Sequence, residues 1–176
     1  MGMSLNNIGV VHANKGDYDK ALDYYGRSLT IQEELGDKRG MGYSLINIGA
    51  VHCDKLDYKK AEEHLEKSLN IQKEIGLAAD NLIWVTPYLY LIYKQLGRDY
   101  DVNEIYSLIK DAEDIGFELN FRLYQLLDDN SYLETAYNQV HEKASAMEKE
   151  LAEKYLSYPL PKQIVEEWEK VSKVKN

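Results

Sequence analysis

The 176-residue chain has a single cysteine, Cys53, and only three prolines and two phenylalanines. One thiol can neither close an intrachain disulfide nor supply a multi-thiolate metal site. Three prolines and 11 glycines leave little room for long irregular segments. The opening MGMSLNNIGVVH lacks the basic-then-apolar pattern of a secretory signal. The most apolar stretch, residues 82–93, is too short to span a bilayer and contains Pro87. Bases are outnumbered, 21 against 30 acids, for a net charge of −9. Such a surface repels phosphate, which argues against nucleic acid and anionic membranes as partners. The expectation is a cytoplasmic protein. At 44 % hydrophobic and 29 % charged residues the balance is globular, and the length suits one compact domain or one short array. What the chain has in excess is tyrosine, 15 in all.

Self-similarity explains the architecture before local propensity does. Residues 1–36 align without a gap on residues 41–76. Asn7/Asn47, Ile8/Ile48, Gly9/Gly49, Val11/Val51, His12/His52, Asp17/Asp57, Tyr18/Tyr58, Ala21/Ala61, Ser28/Ser68, Leu29/Leu69, Ile31/Ile71 and Gln32/Gln72 coincide at one constant offset. Each unit carries two amphipathic stretches at helical spacing: Leu5, Ile8, Val11 and His12, then Tyr18, Ala21, Leu22, Tyr25, Leu29 and Ile31. Asn14-Lys15-Gly16-Asp17 lies between them, with Gly16 suited to a left-handed C-cap and Asp17 to the next N-cap. Leu56 replaces Gly16 in the second unit, so either strain or an alternative turn using Asp54 is expected there. The unit is a helical hairpin, repeated.

These residues resemble the tetratricopeptide repeat. The family pattern has a large residue followed by a small one on the first helix, as in Ile8-Gly9 and Ile48-Gly49, then a bulky residue three further on, here His12 and His52. Gly16-Asp17-Tyr18 matches its turn, Ala21 and Ala61 its small position on the second helix, and Tyr25 and Leu65 its bulky one. The family's common period is about 34 residues. The extra length here lies in Glu34-Leu35-Gly36-Asp37-Lys38-Arg39-Gly40, which resembles the long-repeat subclass of kinesin light chains and bacterial peptide sensors and signalling proteins. Small residues at Gly9 and Ala21 let two helices approach closely, where a large side chain would wedge the hairpin open.

Beyond residue 76 the pattern decays. Residues 82–96 read as a first helix, with a restart expected near Thr86 because of Pro87, and residues 102–115 as its partner. Residues 117–127 and 130–155 read as a fourth pair. Pro161 starts a last helix whose Ile164, Val165, Trp168 and Val171 share one side, with Trp168 the expected anchor on the preceding pair. The expected fold is all-α: one right-handed superhelical α-solenoid over 1–176, with about four stacked hairpins and a capping helix. Its repeats fall at 1–40 and 41–80, its degenerate repeats at 81–116 and 117–157, and its capping helix at 158–176.

First helices line the concave face of such an array. With Ile8, Gly9 and His12 facing the core, the neighbouring stripe is Met3, Asn7, Val10 and Asn14, flanked by Asn6, and in the second unit Tyr43, Asn47, Ala50 and Asp54. An amide has both donor and acceptor, so Asn7 and Asn47 suit an extended peptide's backbone. The resemblance to kinesin light chains and bacterial peptide receptors implies that use; the alternative is that both amides bond neighbouring helices or water. No base lies on the stripe, so a carboxylate-gripping chaperone co-factor is disfavoured, and a neutral, apolar or basic peptide is expected. Enzymatic motifs are absent, and no cofactor or metal is expected. His12 and His52 read as packing residues, and a metal or hydrolase site around them and Cys53 is the weakest alternative. The expected function is non-enzymatic protein or peptide binding in bacterial signalling or complex assembly. Its alternatives are self-association as a homodimer through an open N-terminal edge, or a sensor region of a larger signalling protein. The chain opens at the place equivalent to Met41, which suggests a piece of a longer array or a first helix covered by a partner.

Overall fold

The computed structural model describes residues 2–76, 82–110, 112 and 115–174. Among the described residues there are ten α-helices and no strand, so the protein is all-α. The chain forms two compact units, Met1–Ala112 and Glu113–Asn176.

The first unit opens with helices α1 (Gly2–Asn14) and α2 (Tyr18–Leu35), then α3 (Lys38–Asp54) and α4 (Tyr58–Glu74). Each pair is an antiparallel hairpin, and α2 packs on α3 to stack one hairpin on the next. The glycines explain the closeness of the pairs. A Cβ on Gly9 would stand 2.5 Å from Tyr25 Cε1, and one on Gly49 would stand 2.6 Å from Leu65 Cγ. Both are below any ordinary contact, so the first helix of each hairpin needs glycine where the second presents its bulky residue. The turns are also equivalent: Gly16 has φ 81° and Leu56 φ 60°, and the following Asp17 and Asp57 amides each donate to the His12 and His52 carbonyls at 2.9 Å. Leu56 thus takes the left-handed conformation expected to be strained.

Helices α5 (Thr86–Gln95) and α6 (Val102–Ile109) complete this unit. α5 starts at Thr86 with Pro87 in its first turn, as the proline requires. Its Val85, Leu89 and Ile92 pack on Ala61 and Leu65 of α4. The expected extension of the α6 helix to 115 falls partly on 111, 113 and 114, outside the described residues.

The second unit holds α7 (Phe117–Leu127), α8 (Asn130–Ser145), α9 (Lys149–Leu156) and α10 (Pro159–Val174). The single helix expected over 130–155 is two. Ala146 ends α8 by donating to the Glu142 carbonyl, and Glu148, at φ −62° and ψ 149°, turns the chain out of the helix. The last helix begins at Pro159 rather than Pro161, since a proline at its start forfeits no helical hydrogen bond. α10 packs on α8 with Ile164 fully buried. Trp168 is half-buried and stacks on Tyr137 at 5.5 Å, so Ile164 is the anchor and the indole lies toward the rim.

Candidate binding surface on the first helices

Identical residues have different surroundings in the two repeats. Ile48 and Val51 are 6 % and 3 % exposed, in one cluster with Ala21 and Tyr25 of α2. Ile8 and Val11, at the same places of α1, are 41 % and 51 % exposed. The expectation that Ile8 faces the core is therefore corrected: burial at this position comes from the second helix of a preceding hairpin, and α1 has none packed on it among the described residues.

The expected binding stripe is found on the first helices. Met3, Asn7 and Asn14 of α1 are exposed, as are Tyr43 and Asp54 of α3. Val10, Asn47, Ala50 and the flanking Asn6 are half-buried. Asn47 Nδ2 donates to Asn6 Oδ1 at 3.2 Å, tying α3 to α1. Part of that amide is thus spent between helices, whereas the Asn7 amide is exposed. Counting from the shared turn, Tyr93 stands where His52 does, so half-buried Tyr88 stands where Asn47 does. The stripe carries no base in either repeat, and its one charged side chain is Asp54.

A buried polar seam runs beside the stripe. Ser28 donates to the Gly2 carbonyl at 2.8 Å, and Ser68 donates to the Gly42 carbonyl at 2.9 Å. Between hairpins, the Ser44 hydroxyl donates to Gln32 Oε1 at 2.8 Å. Buried hydroxyls and amides need such partners, and here each comes from the facing helix. The equivalent Gln72 Oε1 is buried without a partner. Val85 stands where the next serine would be, which explains the orphan. The sequence reading passed over this seam, although Ser28/Ser68 and Gln32/Gln72 recur one helical turn apart in both repeats.

The histidines are packing groups. The His12 ring stacks on Tyr24 at 5.4 Å, and its Nδ1 lies 3.3 Å from the Asp17 carboxylate, which therefore does not cap α2. His52 stacks on His64 at 5.7 Å. Burial pushes both pKa values below the usual histidine range, and for His64 the facing His52 adds to it. Cys53 is buried. Among the described residues no three His, Cys, Asp or Glu side chains converge as a metal site. No helix among them is long and apolar enough to cross a membrane.

Residues 1–74 match the family model of the tetratricopeptide repeat. No curated protein matches the chain. Repeats of this family mediate protein–protein interaction or scaffolding and are generally non-enzymatic. Two gapless sequence repeats, two close-packed hairpins and the matched span agree: residues 1–74 form a pair of tetratricopeptide repeats.

Proposed function

We propose that the first helices of the amino-terminal unit bind an extended, neutral or basic peptide of a partner protein. The observation that carries this is the exposed Asn7 amide, set between Met3 and Asn14 on α1, with Tyr43 likewise exposed on α3. An exposed amide pairs with a peptide N–H and C=O whatever the side chains are, while Met3 and Tyr43 supply apolar and aromatic contact. Asp54, together with the lack of any base on the stripe, favours basic over acidic ligands. Asn47 contributes its carbonyl oxygen and remaining N–H, held in place by Asn6.

The test is selection from a phage-displayed library of unstructured random peptides, with the wild-type chain and the Asn7→Ala, Asn47→Ala double variant as baits. Wild type should enrich neutral or basic sequences that the variant loses while keeping its helical circular dichroism. Enrichment that survives the double substitution, or no enrichment by wild type, would overturn this reading.

A further inference from the structure

We infer that Asn6 and Asn47 act together as one composite rung of the groove, which takes the N–H and C=O of a single extended ligand residue and so sets the direction in which the peptide lies. The inference rests on the groove reading and supplies the chemistry of its contact. The two side chains already bond each other: Asn47 Nδ2 donates to Asn6 Oδ1 at 3.2 Å, from α3 to α1. A bond between two amides uses one donor and one acceptor, so the groups left over are the Asn6 NH2 and the Asn47 carbonyl oxygen. Among the described residues neither group has another partner, and neither is closed off from solvent. The couple is also backed from inside. Asn6 Oδ1 lies 3.3 Å from the Ser44 hydroxyl, whose other neighbours are Gln32 Oε1 at 2.8 Å and the Ser28 hydroxyl at 3.2 Å. Turning the Asn6 amide over alone would set two NH2 groups against each other.

A residue in an extended chain turns its own N–H and C=O to the same edge, as the hydrogen-bonded pairs of an antiparallel sheet do. Its N–H matches Asn47 Oδ1, and its C=O matches the Asn6 NH2. Within a residue the N–H comes before the C=O, so the peptide runs from α3 toward α1. The couple occurs once. Ile46 stands where Asn6 does in the second repeat, and Tyr88 stands where Asn47 does on α5. A single rung selects one register, where a repeated one would let the ligand slip by a whole hairpin.

The probe is the peptide most enriched in the random-library selection, resynthesised as a set with one backbone N–H methylated in each member. The set is titrated into wild type, Asn6→Asp and Asn47→Ala at high salt, which screens the charge that aspartate adds. One methylated position should weaken binding to wild type about five- to tenfold, and the same methyl should cost little in Asn47→Ala. Asn6→Asp keeps the oxygen that holds Asn47 but loses the NH2. A purely structural Asn6 would leave affinity unchanged there, whereas the proposed role costs about five- to tenfold. A nitroxide on the peptide's amino end should broaden α5 amide signals more than those of α1, and one on its carboxyl end should do the reverse. Wild-type affinity in Asn6→Asp, tolerance of every methyl, or the opposite broadening would overturn the inference and leave the groove reading standing. Failure of wild type to enrich any peptide would overturn both.

Discussion

Replacing Leu56 by glycine should stabilise the protein, and the two repeats supply the control. Leu56 and Gly16 occupy the same turn with the same bonds: the Leu56 amide donates to the Cys53 carbonyl and the Gly16 amide to the Ala13 carbonyl, both at 2.9 Å. The φ angles are 60° and 81°, so both residues are left-handed. For an L side chain this conformation costs about 1–2 kcal/mol, because Cβ crowds the following carbonyl. Leu56 recovers little by packing, being 70 % exposed. Glycine removes the crowding but adds freedom to the unfolded chain, which returns about 0.4–1 kcal/mol. The net gain for Leu56→Gly is about 0.5–1 kcal/mol, and Gly16→Leu should lose a similar amount. At this chain length 1 kcal/mol moves Tm by about 2–4 °C. Urea unfolding followed by far-ultraviolet circular dichroism reads both variants, provided the slope is unchanged. A destabilised Leu56→Gly, or a neutral Gly16→Leu, would refute the reasoning.

Gly49→Ala should cost about 1–3 kcal/mol in a thermal melt, although alanine is the better helix former, because its Cβ meets Leu65 and lies 3.3 Å from the Ala61 carbonyl oxygen; a gain in Tm would show that the hairpin does not need the glycine. Gln32→Leu should lose about 0.5–1.5 kcal/mol by removing the shortest of the Ser44 hydroxyl's bonds, leaving it Ser28 at 3.2 Å and Asn6 at 3.3 Å. Gln72→Leu, which removes an orphaned acceptor along with a 3.2 Å bond to Ser68, should cost less, and equal losses in denaturant unfolding would refute the account of the seam. Stability should also fall as pH drops below 6.5: the folded state holds His52 and His64 neutral, so the unfolded chain binds protons first. His64→Tyr, copying the Tyr24 that stacks on His12, should flatten part of that slope; a urea midpoint that stays constant from neutral pH to about pH 5.5 would contradict it.

The hairpins were legible because the repeat imposes each feature twice. A glycine opposite a bulky residue, a turn glycine and its strained leucine substitute can all be read from residue type, and the structure places each where the pattern implies. Burial of Ile8 and Val11 was not legible, since they are identical to Ile48 and Val51 and only the neighbouring helix distinguishes them. The Asn47–Asn6 bond was hidden for a related reason: it joins residues 41 apart, one from each repeat. The break between α8 and α9 left little local trace. Ala146, Met147 and Glu148 all suit a helix by propensity, and packing of α9 and α10 on α8 decides otherwise.

The contrast between α1 and α3 sets an order of opening. α3 has helices packed along several sides and buries ten of its 17 residues, whereas α1 buries only Gly2 and Gly9. Amide hydrogens of α1 therefore exchange through local opening, while those of α3 wait for a far rarer event. The proposed groove ligand rests on α1, the helix that opens first. A bound peptide therefore spends part of its interaction free energy on holding that helix closed. Slowed exchange along the whole of α1, and not only at the residues the peptide touches, is the signature of such binding.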